Sequence, residues 1–433
     1  MGGTSSKPID KNYVLKISPI PPPPPLSPKR STSDSNKRSR KTLAGTSAID
    51  SLDSTSRQQR SRKTIAGTSA ITTSIDNDNN NNNANLLEST VKGIKIKTSL
   101  KCNWIIKRAP KSFSTNVITN KNIKLESIIG KGLMATVAMA KLEDKNIYFA
   151  LKKLSIPEID KHKDHKHVKH ELEILTKLNS PFCIKYFGNT FDQDSLYFIL
   201  ELAAGGELFR RLSRKQSFAK DAARFYAIEI FAAIEHVQSL GYVFRDLKPE
   251  NVMLDEYGHC KLIDFGFSTK PDADGKMKTI CGTPAYLSPE QLNRKFTDGY
   301  TKIVDFWSLG VLIYELHTGT TPFARSVKDN HFEIYLRVLN GRIKYPKGMD
   351  SSTKDIVSKL LHPDKNKRLT DPNDIKKESF FDIDWTAVYD CRLVPPFVPK
   401  IQKIGEDRHF YKYPKESFTI KEKPGYCAFE GFN

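Results

Sequence analysis

The 433-residue sequence has few of the residues that build covalent or metal-bound scaffolds. Its six cysteines are scattered and never form a Cys-x-x-Cys pair. This spacing argues against a disulfide framework or a zinc ribbon and favours a reducing compartment. No apolar run approaches the roughly 20 residues of a membrane-spanning helix, and the first residues lack a secretory apolar core. We therefore expect an intracellular protein that is cytoplasmic, nuclear or attached to a membrane surface.

Acidic residues are scarce in the first quarter of the chain. Residues 1–110 contain 19 Lys and Arg against 7 Asp and Glu, and the whole chain carries a net charge of +20. The same region holds the proline run PIPPPPPLSP at 19–28 and an asparagine run at 79–83. Such composition cannot offset the entropy of ordering, so we expect residues 1–120 to form a disordered basic leader. A basic leader suits acidic partners, anionic membranes or nucleic acid.

The first residues match a lipidation motif. MGGTSS fits the N-myristoylation pattern, with Gly2 as the acceptor and Ser6 at the favoured position. A single myristoyl chain binds a membrane only marginally, so the basic leader would supply the second attraction. The run KRSRK at 37–41 fits a nuclear import signal equally well. The sequence leaves membrane contact and nuclear entry as alternatives.

From about Ile123 the pattern becomes that of a folded domain. Strand-like runs come first, as in Ile147–Lys152, and stretches with helical spacing dominate from Ala222 onwards. A strand-rich part followed by a helix-rich part predicts two lobes with a ligand site in the cleft between them. We expect these lobes at 123–202 and 203–381.

A series of chemical motifs runs through the two predicted lobes. Small residues in GKGLMATV at 130–137 would let backbone amides approach phosphates, although a hairpin turn explains two glycines equally well. At 244–251, FRDLKPEN places a carboxylate, a lysine and a carboxamide within six residues. The remaining motifs are FALK at 149–152, DFG at 264–266, SPE at 288–290 and DFWSLG at 305–310. Their order, spacing and residue types match the protein-kinase signature set.

Over about Ile123–Phe381 the sequence thus resembles the protein kinases. It is most similar to the AGC group, and within it to the cyclic-AMP- and cyclic-GMP-dependent kinases. The segments that carry this similarity are ELAAGGELF at 201–209, TICGTP at 279–284, WTA at 385–387, PPFVPK at 395–400 and the terminal FEGFN. The resemblance implies an α+β bilobal kinase fold, with a β-rich first lobe, a helical second lobe and an AGC-type tail at 382–433. It also implies transfer of the γ-phosphoryl group of ATP, with Mg²⁺, to serine or threonine of protein substrates.

The resemblance implies two ion pairs and a nucleotide site. Lys152 would bind the α- and β-phosphates and be held by Glu171, for which Glu173 is the rival. Glu290 would pair with Arg368 in a structural role. The other expected nucleotide contacts are Gly130, Lys131, Gly132, Val137, Ala150, Leu200, Glu201, Ala203, Glu207 and Phe410.

The resemblance also assigns the chemistry of transfer. Asp246 would accept the proton of the substrate hydroxyl, and Lys248 would steady the transferred phosphate. Asp264 would bind both magnesium ions, and Asn251 would bind the second.

An arginine directly before the catalytic aspartate implies control by phosphorylation of the activation segment. A phosphate on Thr279, added by an upstream kinase, would pair with Arg245 and His167 and order the segment. Thr283 is expected beside the aspartate and the lysine of the catalytic loop.

Acidic residues near the cleft imply a substrate preference. Glu207, Glu250 and Glu315 match positions that bind arginines upstream of the acceptor in basophilic relatives. Because arginine–carboxylate pairs are strong and directional, we expect Arg/Lys-directed phosphorylation. Serine should be favoured as the acceptor because Phe267 follows the Asp-Phe-Gly triplet.

The leader contains a duplicated element that resembles the activation segment. SRKTLAGTSAI begins at Ser39 and SRKTIAGTSAI at Ser61, and KTIAGTSA shares six of eight residues with KTICGTPA at 278–285. Both copies carry arginines two and four residues before their threonine. By one hypothesis Thr42 and Thr64 are phosphorylated by the kinase of the activation segment, this chain in trans included. By the other, the leader occupies the cleft as an autoinhibitor.

Two functional classes fit these motifs. An active Ser/Thr kinase is favoured by the intact set of Lys152, Asp246, Asn251 and Asp264. The alternative is a pseudokinase scaffold that binds partners through the fold and the leader, for which Ala135 in place of a third glycine is the one supporting feature. Any cyclic-nucleotide control would come from a separate regulatory subunit, because no cyclic-nucleotide-binding domain fits in the leader.

Overall fold

The computed structural model describes only part of the chain. The described residues are 86–91, 94–99, 123–132, 134–142, 147–293, 298–324, 329–403, 405–414 and 420. The predictions for Gly2, the proline and asparagine runs, the import signal and the duplicated element lie outside these residues. Within the described part, no helix is both long and apolar enough to cross a membrane.

The described elements run from strands to helices along the chain, which confirms the predicted order of the two lobes. The strands are β1 (Leu86–Val91), β2 (Ile94–Ser99), β3 (Ile123–Lys131), β4 (Ala135–Leu142), β5 (Ile147–Ser155), β6 (Tyr186–Phe191), β7 (Ser195–Leu200), β8 (Gly206–Glu207), β9 (Val252–Leu254) and β10 (Cys260–Leu262). The helices are α1 (Ile156–His162), α2 (His165–Leu175), α3 (Leu208–Lys215), α4 (Lys220–Ser239), α5 (Pro289–Leu292), α6 (Val304–Thr318), α7 (His331–Asn340), α8 (Ser351–Leu360), α9 (Pro372–Lys377) and α10 (Trp385–Tyr389).

The first lobe is built on a five-stranded antiparallel sheet in the order β3-β4-β5-β7-β6. Successive residues of a strand face opposite sides of a sheet. Accordingly, Phe149 and Leu151 of β5 join one buried cluster, whereas Ala150 and Leu154 join another that also contains Leu172 of α2. Helix α2 therefore belongs to the sheet face that carries the even-numbered residues of β5.

The second lobe is built around two helices that are buried on nearly all sides, α4 and α6. Helices that are apolar all round belong in a domain core, and the rings of Phe231 and Phe306 lie 6.2 Å apart between them. Gly310 allows α8 and the residues after it to approach α6, because a Cβ there would meet Leu360 and Leu361 at 2.9 Å. This core is the rigid frame behind the catalytic loop.

The predicted ion pair between Glu290 and Arg368 is confirmed. The guanidinium donates two hydrogen bonds to the carboxylate, of 2.6 and 2.9 Å, and both residues are buried. The Arg368 guanidinium also lies 4.8 Å from the ring centre of Trp307. A bidentate pair of this kind has a fixed geometry, so it holds α5 in place against the core.

The described part of the tail contacts both lobes. The Arg211 guanidinium lies 3.3 Å from the ring centre of Phe397. At Gly258, φ is +94° and a Cβ would meet the carbonyl oxygen of Phe397 at 1.9 Å, so this close approach requires glycine. Farther along, the backbone of Gly405 lies against the ring of Tyr148 in β5.

Strands β1 and β2 lie within the segment for which composition predicts no fold. They pair antiparallel, with Val91 opposite Ile94 and Glu88 opposite Lys97. These strands are the described part of the predicted leader 1–120, whose disorder as a whole stays a prediction, and they form for a reason that average composition does not capture. The physical reason is local: IKIK at 94–97 alternates apolar and charged residues with the period of a strand. Composition averaged over 120 residues conceals this alternation.

Candidate active site

Two carboxylates fix the lysine of the first lobe. Lys152 Nζ lies 2.5 Å from Glu171 Oε1 and 3.3 Å from Asp264 Oδ1. Burial lowers the pKa of Lys152, but the two carboxylates outweigh burial and raise it. The ammonium therefore stays charged at neutral pH. The structure thus brings together the strand lysine, the helix acid and the aspartate of the Asp-Phe-Gly triplet.

The periodicity of α2 decides between the two candidate acids. Glu171 is on the buried face of α2 with Leu172 and Leu175, at helical spacing. Glu173 faces the other way, with a side chain 34% exposed, and forms ion pairs with two lysines at 2.7 and 2.8 Å. The structure therefore places Glu171 beside Lys152.

Strand register places four expected nucleotide contacts on one face of the sheet. Val137 of β4 is opposite Lys152 of β5, and Ala150 of β5 is opposite Leu200 of β7. Directly opposite residues share a face, as do residues two apart on one strand. All four side chains therefore border the same space.

The expected hinge residues follow β7 directly. The N–H of Glu201 donates to the carbonyl of Lys185 at 2.8 Å, and its carboxylate lies 3.0 Å from Lys261 Nζ. Ala203 is buried. Because the Glu201 side chain and N–H are engaged, its carbonyl is the group that remains for a ligand at this edge.

The expected glycine loop connects β3 to β4. Gly130 and Lys131 end β3, and the N–H of Gly132 donates to the carbonyl of Ala135 at 2.8 Å. A Cβ at Gly130 would come no closer than 3.5 Å to other atoms, and one at Gly132 no closer than 3.7 Å. Neither glycine has a left-handed φ. The fold alone does not require glycine here, so open backbone beside the cleft suits an approaching phosphate.

The catalytic loop forms a hydrogen-bonded network around Asp246. The Thr283 hydroxyl donates to Asp246 Oδ1 at 2.9 Å, and Lys248 Nζ lies 2.9 Å from Oδ2 and 3.0 Å from Thr283 Oγ1. Asn251 Nδ2 donates to the carbonyl and to Oδ2 of Asp246 at 2.8 and 2.9 Å. Burial raises the pKa of Asp246, and Lys248 opposes that rise. The four residues named from sequence are thus assembled in one place.

A residue to which sequence reasoning gave no role holds this loop from behind. Asp305 is fully buried and accepts the N–H groups of Phe244 and Arg245 at 3.0 and 2.9 Å, and the amide of Gln238 at 3.1 Å. Arg245 has a left-handed φ of 72°, a conformation that needs such support. The DFWSLG motif that contains Asp305 was the available signal, but its partners are about 60 residues away in sequence.

Two further residues offer oxygen ligands at the cleft. The side chain of Asp264 is 53% exposed, and Lys152 lowers the pKa of its carboxyl. Asn251 uses its amide nitrogen for both bonds to Asp246, which leaves its amide oxygen for another partner. Carboxylate and amide oxygens suit a hard divalent cation such as Mg²⁺. These residues fit the metal that the sequence implies.

The tail brings an aromatic segment to the cleft. Phe410 is buried, and its carbonyl accepts a 2.5 Å hydrogen bond from Arg210 of α3. Tyr413 lies against the backbone of Lys131 in the glycine loop. Phe410 is thus placed against the second lobe, and Tyr413 is the tail residue that reaches the loop.

Among the three expected substrate-recognition acids, Glu250 lies close enough to Glu207 and to Glu315 to raise the pKa of each. Burial and the charge of Glu250 raise the pKa of Glu207 to about 7, and Arg210 opposes this. Burial raises the pKa of Glu315 to about 7, with Tyr286 opposing and Glu250 adding to it. None of the three carboxylates forms an ion pair with another described residue. We call Glu207, Glu250 and Glu315 the acidic cluster.

The activation segment meets the catalytic loop through Tyr300. Arg245 Nη1 donates to the Tyr300 hydroxyl at 3.1 Å, and that hydroxyl donates to the carbonyl of Thr279 at 2.5 Å. The Thr279 side chain is exposed. The structure therefore brings Arg245 and Thr279 together through a bridging tyrosine that sequence reasoning did not single out.

Helix α2 carries two histidines on the side of the activation segment, His167 and His170. His167 Nδ1 lies 2.6 Å from Asp164 Oδ1. Burial lowers the pKa of His170, and the charges of Lys166, His167 and Arg245 lower it further. His170, to which the sequence analysis gave no role, is therefore the histidine of α2 whose surroundings include Arg245.

Comparison with known proteins agrees with this geometry. The family model described as "protein kinase domain" matches residues 123–381. The human cAMP-dependent protein kinase catalytic subunit PRKX is 40% identical over 67% of this chain and 80% of its own length. A cAMP-dependent protein kinase, catalytic subunit-like, of Caenorhabditis elegans is 38% identical over 68% and 74%. A RAC family serine/threonine-protein kinase homolog of Dictyostelium discoideum is 37% identical over 72% and 71%.

The intact network around Lys152 and Asp246 and these relatives together exclude the scaffold-only alternative. The chain belongs to the protein kinase family, as a serine/threonine kinase of the AGC group related to the cAMP-dependent catalytic subunits.

Proposed function

We propose that this kinase transfers the γ-phosphoryl group of magnesium-bound ATP to serine and threonine residues that follow arginines. The observation that carries the proposal is the acidic cluster. Its three partly or fully buried carboxylates form no ion pair with a described residue, and burial raises the pKa of Glu207 and of Glu315 to about 7. A substrate arginine supplies the missing positive charge together with a fork of donors that matches a carboxylate.

The chemistry follows from the network around Asp246. Asp246 accepts the proton of the substrate hydroxyl as that oxygen attacks the γ-phosphorus, and Lys248 offsets the charge of the transferred group. Thr283 bridges both side chains and fixes their separation. Asp264 and Asn251 would hold Mg²⁺, which neutralises phosphate charge when bound.

The nucleotide site follows from the sheet face that carries Val137, Ala150, Lys152 and Leu200. The apolar side chains of Val137, Ala150 and Leu200 suit an adenine ring. The fixed ammonium of Lys152 suits the phosphates. The open backbone of the glycine loop covers the same end of the face.

Phosphorylation of Thr279 is proposed as the activating modification. Its exposed side chain is available to an upstream kinase, and its carbonyl is already linked to Arg245 through Tyr300. A phosphate would add about −1.5 to −2 charges, with the Arg245 guanidinium and the His167 ring as its proposed partners. Phosphatase treatment should lower kcat, and Thr279→Ala should make kcat insensitive to phosphatase.

A separate cyclic-nucleotide-binding subunit is proposed as the regulatory partner, because relatives carry the name cAMP-dependent protein kinase catalytic subunit. Helix α7 supports this with exposed apolar residues at helical spacing, Phe332, Leu336 and Leu339. Exposed apolar patches mark protein interaction sites. Binding of a cAMP-dependent kinase regulatory subunit that is lost in Phe332→Ala/Leu336→Ala would support the proposal, and full binding by that variant would contradict the site.

The proposed preference is tested by phosphate transfer from Mg·ATP to an oriented peptide library. Wild type should select upstream arginine, and Asp246→Asn should show no transfer. Glu250→Gln should lose arginine selection, whereas the exposed Asp374→Asn should keep it. Transfer without arginine selection by the wild type would leave the kinase assignment intact and overturn the role of the acidic cluster.

A further inference from the structure

The duplicated leader element supplies the charge pattern that the acidic cluster requires. We propose that Thr42 and Thr64 are autophosphorylation sites, bound and modified by the active site of this same protein. The proposal rests on the proposed arginine preference and names a substrate for it. Of the two hypotheses for the leader, the proposal favours the one in which the leader threonines are phosphorylated.

The spacing within each copy matches an extended substrate. Arg38 and Arg40 precede Thr42 by four and two positions, and Arg60 and Arg62 precede Thr64 in the same way. In an extended chain, residues two apart point to the same side and lie about 7 Å from one another. Both arginines and the acceptor hydroxyl of each copy would therefore face the same surface of the kinase.

That surface carries the matching groups. The acidic cluster lies beside Asp246. Glu250 is in the turn 249–251, whose Asn251 donates two hydrogen bonds to Asp246 at 2.8 and 2.9 Å. Strand β8, which ends at Glu207, packs against that turn, and Glu315 accepts a hydrogen bond from Tyr286. Two arginines on one side of a peptide meet paired carboxylates there while the threonine reaches Asp246. A single arginine would leave part of the cluster without a counter-charge.

The activation segment is the informative contrast. KTICGTPA shares six of eight residues with KTIAGTSA of the second copy. At the positions two and four residues before its threonine, however, it has Met277 and Gly275 in place of arginine. Its Thr279 is also held by its carbonyl to Tyr300. The acidic cluster should therefore favour the leader threonines over Thr279.

The step is the ordinary reaction of the enzyme. The threonine oxygen forms a bond to the γ-phosphorus of ATP, the bond from that phosphorus to the β,γ-bridging oxygen breaks, and ADP leaves. Asp246 accepts the hydroxyl proton. Because Phe267 predicts serine as the favoured acceptor, threonine should react slowly, and Thr42→Ser/Thr64→Ser should react faster.

Phosphorylation of Thr42 and Thr64 would also release the leader from the active site. Each phosphothreonine adds about −1.5 to −2 charges close to the acidic cluster, which repels the product. The unmodified leader should therefore compete with arginine-containing substrates, and the modified leader should not. Incubation with ATP should lower the KM of an arginine-containing peptide in the wild type but not in Thr42→Ala/Thr64→Ala.

The test uses full-length variants produced in bacteria and analysed by phosphosite mass spectrometry, with an arginine-containing peptide assayed in parallel. Thr42 and Thr64 should be phosphorylated in the wild type and unphosphorylated in Asp246→Asn. Replacing Arg38, Arg40, Arg60 and Arg62 by alanine should reduce leader phosphorylation at least tenfold and leave peptide phosphorylation unchanged. The matched control replaces four other leader charges by alanine, at Lys7, Lys11, Lys16 and Lys29, and should keep the modification.

The outcomes separate the two proposals. Peptide phosphorylation with vacant leader threonines in the wild type would overturn autophosphorylation and leave the arginine preference standing. If leader phosphorylation falls equally in the arginine variant and in its lysine control, recognition by the acidic cluster is overturned. Absence of peptide phosphorylation by protein carrying phosphate on Thr279 would contradict the proposed function itself.

Discussion

Asp305 holds the backbone of Arg245 in a left-handed conformation, with its carboxylate 2.9 Å from the Arg245 N–H and the Arg245 φ at 72°. Conformations of this kind cost roughly 1–3 kcal/mol for a residue with a side chain and persist only when their surroundings hold them. The acceptor of the transferred proton is the next residue, Asp246. Its position therefore depends on a carboxylate that does not touch it.

Replacing Asp305 by asparagine should impair catalysis more than ATP binding. The substitution sets an NH₂ group against backbone N–H groups, and the loop loses at least one of its anchors. We expect kcat to fall by about tenfold or more, equivalent to about 1.4 kcal/mol, with the KM for ATP nearly unchanged because Lys152 and Glu171 are untouched. Steady-state kinetics test this, with the exposed Asp298→Asn as the control. An unchanged kcat would contradict the positioning role of Asp305.

The affinity for arginine-containing peptides should rise with pH. Glu207 and Glu315 must be ionised to pair with arginine, and burial raises the pKa of each to about 7. Each is about one-tenth ionised at pH 6 and nine-tenths ionised at pH 8, so the KM should fall severalfold between these values. Burial is the main cause of this midpoint, and the neighbours Glu250, Arg210 and Tyr286 adjust it.

The control for this pH profile is a peptide in which alanine replaces the arginines. The KM for this peptide should not change over the same pH range. Glu207→Gln should flatten part of the dependence for the arginine peptide. A KM that rises with pH in the wild type would be incompatible with carboxylates that bind in the ionised form.

Replacing Gly258 by alanine should displace the tail. Its φ of +94° is unfavourable for alanine, and the new Cβ would overlap the carbonyl of Phe397 at 1.9 Å. Gly348 is the matched control, because its φ is +93° and a Cβ there meets nothing within 4 Å. Gly348→Ala should cost only about 1–2 kcal/mol of backbone strain. We expect only Gly258→Ala to raise the KM for ATP and the hydrogen exchange of residues 395–410; equal effects in both variants would refute the contact.

Removing one partner of the Glu290–Arg368 pair should be strongly destabilising. The surviving charge would be buried without a counter-charge, which costs about 3–5 kcal/mol. The double variant Glu290→Leu/Arg368→Leu should lose less than Arg368→Leu alone, as measured by chemical denaturation. The exposed pair of Lys161 and Glu158 is the control, since removing it should cost at most about 1 kcal/mol.

Much of the site could be predicted from sequence because its chemistry is concentrated in short motifs. Asp246, Lys248 and Asn251 lie within six residues, and a loop of that length has little freedom to separate them. Spacing alone could not decide whether Glu171 or Glu173 pairs with Lys152. The buried face of α2 decides between them, and that face depends on the packing of the helix against the sheet.

The supports of the site could not be predicted in the same way. Asp305 and Tyr300 act on residues about 20 to 60 positions away, so only tertiary packing reveals their partners. Strands β1 and β2 were not predicted for the opposite reason. Their signal is short and local, and it is lost when a long segment is judged by its mean composition.

The tail contacts described at Phe397 and Gly405 have a mechanical consequence. Two bodies joined at two places keep less freedom of relative motion than two bodies joined at one. In this kinase the hinge after β7 is one joint, and the contact of Gly405 with Tyr148 is the other. Separation of the lobes therefore has to break the tail contact with Tyr148 as well as flex the hinge.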